Sequence, residues 1–362
     1  MMDRQKMVVV GMSGGVDSSV AAWLLKQQGY QVIGVTMQIW LPEGEEELEE
    51  NGGCCGLSAV EDARRVAQRL EIPHYVMNFR REFEECVISD FAEEYLHGRT
   101  PNPCIVCNRK IKWEALLSRA MALGADYIAT GHYARVDRLD NGRYALRLSA
   151  SEGKDQTYAL YSLTQEQLSH TLMPLGEYTK EEIRKIAEKI GLLVANKPDS
   201  QEICFIPDHD YAGFIRRYTG KEIPEGNFVD KEGRVLGRHK GIIHYTIGQR
   251  RGLGLAAGHR IFVKEIRPKS NEVVIGEGDE IFSDTLRCHH VNWMGIAGIG
   301  GNEELEVVAK IRYSHKGEKC VLRQAGDDLL ECRFMQPVRA AAPGQAVVFY
   351  LGDVVAGGGV IL

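Results

Sequence analysis

The chain has 362 residues, 44% of them apolar and 26% charged, with a net charge of -6. That length suits two or three domains with a proper core, and no apolar run approaches the roughly 18 residues of a membrane span. Nine cysteines, an odd number at irregular spacing, exclude a disulfide framework as the basis of the fold.

The opening stretch MMDRQKMVVVGMSGG has no long apolar segment with a small-residue cleavage site, so a cytoplasmic location is expected. MVVVGM reads as a buried strand. SVAAWLLKQQ follows with helical spacing and stops at Gly29. YQVIGVTMQI is a second strand, and EGEEELEENGG is an acidic, glycine-ended loop expected to be mobile. Residues 57–70 form a helix, HYVMNF a strand and 81–97 another helix. A Pro-Asn-Pro turn precedes a helix over 108–123, and YIATGHYA is the next strand. Strands alternating with helices of this length predict an α/β fold, a doubly wound parallel sheet covered on both faces.

TKEEIRKIAEKIGL is a further amphipathic helix, and DHDYAGFIRRYTG another with Asp208 as its cap. From about residue 222 glycine-punctuated short strands take over, from NFVDKEGRVLG to AVVFYLGDVVAGGGVIL. They predict a small β-rich domain followed by a C-terminal β-barrel. The expected divisions are 1–215, 216–280 and 281–362.

Charge is uneven along the chain. Residues 1–215 carry 23 basic against 32 acidic side chains, whereas 216–362 carry 21 against 18. Within 234–269 nine Lys and Arg face the single Glu265, with His239, His244 and His259 among them. A solvated face is the bland account of such a run; an excess of this size suits a polyanion.

Ser13-Gly14-Gly15-Val16-Asp17-Ser18 lies between the first strand and the first helix. Glycines there let backbone N–H groups close around phosphate, and the helix N-terminus favours the negative charge. A plain strand-to-helix turn would explain two glycines but not the hydroxyls and carboxylate packed around them. The lysine of a GxxxxGK[ST] loop is absent, as is GxGxxG. Cys104 and Cys107 in RTPNPCIVCNRKIKW have the spacing of half a zinc site, a redox couple or part of an iron–sulfur cradle, and the spacing alone leaves all three open. Cys54, Cys55, Cys86, Cys288, Cys320 and Cys332 read as small buried hydrophobes.

SGGVDS resembles the signature of the ATP pyrophosphatase family, whose members cut ATP between the α- and β-phosphates and form adenylated intermediates. That family includes GMP, NAD, asparagine and argininosuccinate synthetases, tRNA lysidine synthetase and tRNA thiolases. The chain contains no glutaminase motif, and its cysteines and basic segment point to sulfur and RNA. The blocks GMSGGVDSSVAAWLLKQQGYQVIGVTMQIW, GRTPNPCIVCNRKIKW, ATGHYAR, KDQTYAL, DSQEICFI, HYTIGQRRGLG and IRYSH resemble, in order and over nearly the whole chain, the tRNA 2-thiouridylase family. The resemblance implies ATP-dependent 2-thiolation of the wobble uridine in tRNAs for Glu, Gln and Lys. The sulfur would arrive as a persulfide from a cysteine desulfurase or a relay protein.

By the same resemblance, Gly11, Met12, Ser13, Gly14, Gly15, Val16, Asp17 and Ser18, with Met37 and Gly131, would hold ATP, and Asp17 would hold Mg²⁺. Cys204 would carry the persulfide and Cys107 would be the catalytic thiol, its thiolate favoured by Arg109, Lys110 and a helix N-terminus. Asn102, Pro103 and Cys104 would face the target base, with His132 nearby. Lys154, Asp155, Gln156, Arg312, Tyr313 and Gln345 would touch tRNA. Arg250 and Arg251 suit phosphate contacts by their own chemistry. One departure stands out: the family pattern has Asp at the place of Cys104. Cys104, Cys107 and Cys204 together could hold a [4Fe–4S] cluster, so that route stands beside the preferred persulfide one. A non-catalytic RNA-binding protein with a vestigial nucleotide fold is the rival of another class, and the intact SGGVDS speaks against it.

Overall fold

The structure is a computed structural model that describes residues 4–40, 57–197 and 203–362. The acidic loop, Cys54, Cys55 and residues 199–202 of the DSQEICFI block lie outside the described residues.

Five strands form a parallel sheet in the order β3-β2-β1-β4-β7, with β1 (Met7–Gly11), β2 (Gln31–Gln38), β3 (His74–Asn78), β4 (Tyr127–Ala129) and β7 (Thr171–Leu172). MVVVG is apolar throughout because both faces of β1 are covered. Val9 packs with Val35, Ile128 and Trp113 on one side. Val8 and Val10 pack with Val20, Leu25 and Ile183 on the other. Helices α1 (Val16–Gln27) and α2 (Leu57–Leu70) cover the Val8–Val10 face, and the helical segment carrying Ile111, Trp113, Leu116 and Ala120 covers the Val9 face. The doubly wound reading therefore holds.

Local details differ from the sequence reading. The helix expected to start at 108 starts at Pro103: Pro103–Cys107 is already helical, capped by the Asn102 side chain, which accepts from the Ile105 N–H. Proline fits the first helical position because its missing N–H has no partner there anyway. The helix then widens into π-type turns over Asn108–Leu116. Cys104 and Cys107 thus sit one turn apart on a helix rather than in a turn before it. Asp208 does not cap its helix. Asp210 does, accepting from the Gly213 N–H at 2.9 Å, while Asp208 accepts from the Asp210 N–H at 3.0 Å.

A four-stranded sheet, ordered β10-β11-β8-β9, comprises β8 (Gly226–Val229), β9 (Val235–His239), β10 (Ile261–Arg267) and β11 (Glu272–Glu277). Beyond it β12 (Phe282–Trp293), β13 (Glu304–Lys310), β14 (Glu318–Gly326), β15 (Leu329–Arg339), β16 (Ala346–Leu351) and β17 (Val354–Ile361) close a barrel through the β12–β17 pairing. Its interior includes Cys288, Cys320 and Cys332, all buried as expected, while Cys86 is half-buried. A hairpin from the first part of the chain, β5 (Arg135–Arg138) and β6 (Tyr144–Arg147), extends this sheet by pairing Arg147 with Val354. Among the described residues no helix is long and apolar enough to cross a membrane.

Candidate active site

The phosphate loop joins the carboxyl end of β1 to α1. Gly14 adopts φ +67°, and a Cβ there would run into the Ala59 backbone of α2, so glycine is required on both counts. Gly15 precedes α1, whose first turn has no side-chain cap. The first N–H groups of a helix have no partner within the helix, so this turn can offer them to a ligand. The Ser18 hydroxyl accepts from the Ser13 N–H at 3.2 Å and holds the loop in a curl, while Ser13 is exposed. Met37 stands two residues beyond Val35, the register partner of Gly11, at the same edge of the sheet. Gly131 follows β4 and presses on α1, where a Cβ would lie 2.6 Å from the Ser18 backbone nitrogen.

Asp17 is the junction of the site. Lys180 Nζ lies 2.8 Å from each of its carboxylate oxygens, and the Tyr133 hydroxyl donates to Oδ1 at 2.7 Å. Lys197 Nζ donates to Asp62 at 2.9 Å and reaches the Gly14 carbonyl at 3.4 Å. Sequence reasoning missed Lys180, Tyr133 and Lys197. Two of them carried a hint: Tyr133 lies within the ATGHYAR block, and Lys197 stands just before DSQEICFI. Among the described residues no three His, Cys, Asp or Glu side chains are grouped to hold a metal ion. With both Asp17 oxygens bonded to protein donors, the described residues do not fit a protein-held Mg²⁺ site.

The same finding applies to Cys104, Cys107 and Cys204, which do not form a cluster cradle in this structure. Cys104 and Cys204 are exposed and Cys107 is half-buried. Cys107 and Phe205, the neighbour of Cys204, pack into one apolar cluster. Phe205 meets Phe83 and Phe91 edge-on at centroid distances of 5.6 and 5.5 Å. Lys110, expected to favour a Cys107 thiolate, is paired with Glu114 at 2.8 Å.

His132 lies against Trp113, whose indole donates to Thr171 Oγ1 at 2.7 Å, and bonds Thr130 Oγ1 through Nδ1 at 2.6 Å. Burial, with the Lys112 charge adding, holds its imidazole well below the usual range, so the ring is neutral at pH 7. The Gln156 side chain accepts from the Tyr133 N–H at 2.9 Å. Asp155 accepts from the Ser149 N–H at 3.0 Å and the Thr157 hydroxyl at 2.6 Å. Both side chains therefore shape the 149–157 loop in this structure. Lys154, half-buried beside them, acts electrostatically on Tyr313.

A cavity of about 420 Å³ gathers segments from all three parts of the chain. Thr100 and Asn102 come from the turn before Pro103, Thr246, Ile247 and Gly248 from the basic segment, and Arg312, Tyr313, Arg339 and Gln345 from the barrel. Asn102, Arg312, Tyr313 and Gln345 are thus brought together, and Arg339 and Thr246 are additions the sequence did not reveal. Gln345 reaches the Pro101 carbonyl at 3.5 Å, and the Thr100 N–H donates to Pro343 O at 2.8 Å. Arg250 and Arg251 are exposed on the turn after Gly248.

A family model described as tRNA methyl transferase HUP domain matches residues 6–208, one described as tRNA methyl transferase PRC-barrel domain matches 212–277, and an aminomethyltransferase beta-barrel domain matches 283–361. A tRNA-specific 2-thiouridylase MnmA from Lachnoclostridium phytofermentans is 65% identical over 99% of both chains. Its namesake from Clostridium acetobutylicum is 58% identical over 98% of this chain and 99% of its own. A solved 4-thiouridine synthetase–RNA complex with bound ATP aligns at TM-score 0.36 and 17% identity over 60% of this chain and 54% of that one. With a phosphate loop closing the first sheet and relatives matched from end to end, the chain belongs to the tRNA-specific 2-thiouridylase family.

Proposed function

We propose that the chain catalyses the ATP-dependent 2-thiolation of a tRNA uridine, at the wobble position of tRNAs for Glu, Gln and Lys. The observation that carries this reading is the 65% identity to a 2-thiouridylase over 99% of the chain. ATP enters as its Mg²⁺ complex, the metal arriving with the substrate. Residues 1–215 perform adenylation and sulfur transfer, 216–280 present basic groups to tRNA, and 281–362 form the barrel side of the cavity.

The uridine C2 carbonyl is a poor electrophile, so its oxygen must first become a leaving group. That oxygen attacks the α-phosphorus of ATP at the phosphate loop and expels pyrophosphate. A donor protein, a cysteine desulfurase or persulfide relay, loads the outer sulfur of a persulfide on Cys204. The outer sulfur bonds to C2, while the Cys107 thiolate attacks the inner sulfur and supplies the electron pair that breaks the S–S bond. AMP departs with the former carbonyl oxygen. A Cys107–Cys204 disulfide remains, and external thiols reduce it between turnovers. The target base must leave its stack to meet these groups; in this reading Asn102, which lines the cavity, and its neighbours Pro103 and Cys104 face it.

The test is a reaction of the purified chain with unmodified tRNA, ATP and a persulfide source. Equal yields of pyrophosphate, AMP and 2-thiouridine are expected by nucleoside mass spectrometry. A turnover that leaves no 2-thiouridine would overturn the reading.

Two further outcomes follow here. Cys104→Asp retains thiolation within about threefold, because under the persulfide route only Cys107 and Cys204 exchange sulfur. Loss of activity together with bound iron after anaerobic purification would instead favour the cluster route. Replacing Arg250 and Arg251 together by Ala weakens tRNA binding. It also lowers the log–log salt slope by about 0.7–0.9 per lost phosphate contact. An unchanged slope in binding titrations would place that turn in plain solvent.

A further inference from the structure

We propose that Lys180 is a further catalytic residue: its ammonium is the cation that meets the departing pyrophosphate, and Asp17 is its anchor rather than a metal ligand. This rests on the reading that ATP is cleaved at loop 11–18 and deepens it.

Cleavage between the α- and β-phosphates builds negative charge on the leaving group, and a loop that speeds it needs fixed positive charge nearby. The stretch GMSGGVDS contains no Lys or Arg. Its own contribution is limited to backbone N–H groups and hydroxyls. Lys180 supplies the missing charge from 163 positions away, with its side chain only 8% exposed.

Its placement is well determined. Thr179 and Glu182 form a reciprocal capping box that starts helix Lys180–Lys189, so Lys180 is that helix's first residue. Ile183 and Ala187 of this helix share a cluster with Val20 and Leu24 of α1. Glu181 and Glu182 are exposed, so the helix sends its cation inward and its carboxylates to solvent. The Tyr133 hydroxyl on Oδ1 fixes the Asp17 carboxylate that receives Lys180.

A mere tie between two helices is the plainer account, and two observations weigh against it. The apolar contacts already join the helices, and a buried ion pair adds little stability once desolvation is counted. Lys180 also sits at the positive end of the α1 dipole, where a lysine is unfavourable for the helix and an anion is favourable. With Lys197 beside Gly14, two ammonium groups and one helix N-terminus converge on one loop. Each ammonium is paired with a carboxylate, Asp17 or Asp62, so a phosphate bound there would share ammonium groups that are already held in place and would add the helix N-terminus.

The test measures binding of inorganic pyrophosphate to the full chain by calorimetry, beside tRNA-dependent pyrophosphate release from ATP. Lys180→Met lowers release by about 10²–10³, the scale of one lost transition-state donor, and weakens pyrophosphate binding at least about tenfold. Lys180→Arg recovers part of both. Because Lys180→Met leaves the Asp17 carboxylate without its cation and can fail to fold, a neutral background provides the second comparison. Measured against Asp17→Asn itself, the Asp17→Asn/Lys180→Met pair binds pyrophosphate at least about tenfold more weakly. Equal affinities for those two would overturn the assignment and leave Lys180 as a tie. A wild-type chain that released no pyrophosphate with unmodified tRNA would overturn the functional reading itself, and the assignment with it.

Discussion

Cys107→Ser is expected to abolish 2-thiouridine formation while pyrophosphate release continues near the wild-type rate. A serine hydroxyl is far too weak a nucleophile toward a persulfide sulfur at neutral pH, so the drop should reach the detection limit of nucleoside mass spectrometry. Adenylation precedes sulfur transfer and uses a different set of groups, so the variant should accumulate adenylated tRNA or its hydrolysis products. Cys107 is half-buried at the edge of the apolar core, and the isosteric swap to serine leaves the fold intact. Parallel loss of pyrophosphate release would show that the thiol acts before or during adenylation, contrary to the proposed order.

Asp17→Asn is expected to cut tRNA-dependent pyrophosphate release by about 10²–10³ and to leave tRNA affinity within about twofold. The carboxylate holds both Lys180 Nζ at 2.8 Å and the Tyr133 hydroxyl at 2.7 Å. An amide keeps one acceptor and loses the charge. Lys180 then loses this carboxylate, and removing one partner of a buried pair destabilises more than the pair ever stabilises. A loss of about 1–3 kcal/mol is expected in chemical denaturation, moderated because the amide oxygen still accepts. Near wild-type pyrophosphate release would remove Asp17 and its neighbours from the chemistry.

What could be read in the sequence was what is local. Val8, Val9 and Val10 announce a strand covered on both faces because no alternation of polar residues is tolerated there. The phosphate loop was legible because Ser13, Gly15 and Ser18 bond within six residues of one another. Lys180 was not, since in TKEEIRKIAEK it is one of three lysines on an ordinary amphipathic helix, and only the tertiary fold turns it inward. The cavity was legible residue by residue through resemblance but not as a space, because Thr100, Thr246 and Arg312 are brought together only by chain crossings. The early start of the helix at Pro103 was missed because a Pro-Asn-Pro run looks like an interruption, whereas proline at a first helical turn is not one. The β5–β6 hairpin went unread: RVDR and YALR are too short and too charged to signal strands by themselves.

That hairpin bears on how the chain is made. Arg135 and Arg147 both grip Asp353, and Arg143 donates to the carbonyls of Trp293 and Met294, which are synthesised much later. On the ribosome, β6 emerges roughly two hundred residues before its neighbour β17. Its outer edge and these arginines must therefore wait for β17 to leave the exit tunnel. Docking of the hairpin is thereby deferred until β17 is made, a high-contact-order closure that slows folding. Chains that terminate before β17 keep β6 as an open sheet edge, the kind of edge that pairs with other chains, while Arg135 and Arg147 retain only Glu177 and Asp137 as ion-pair partners among the described residues.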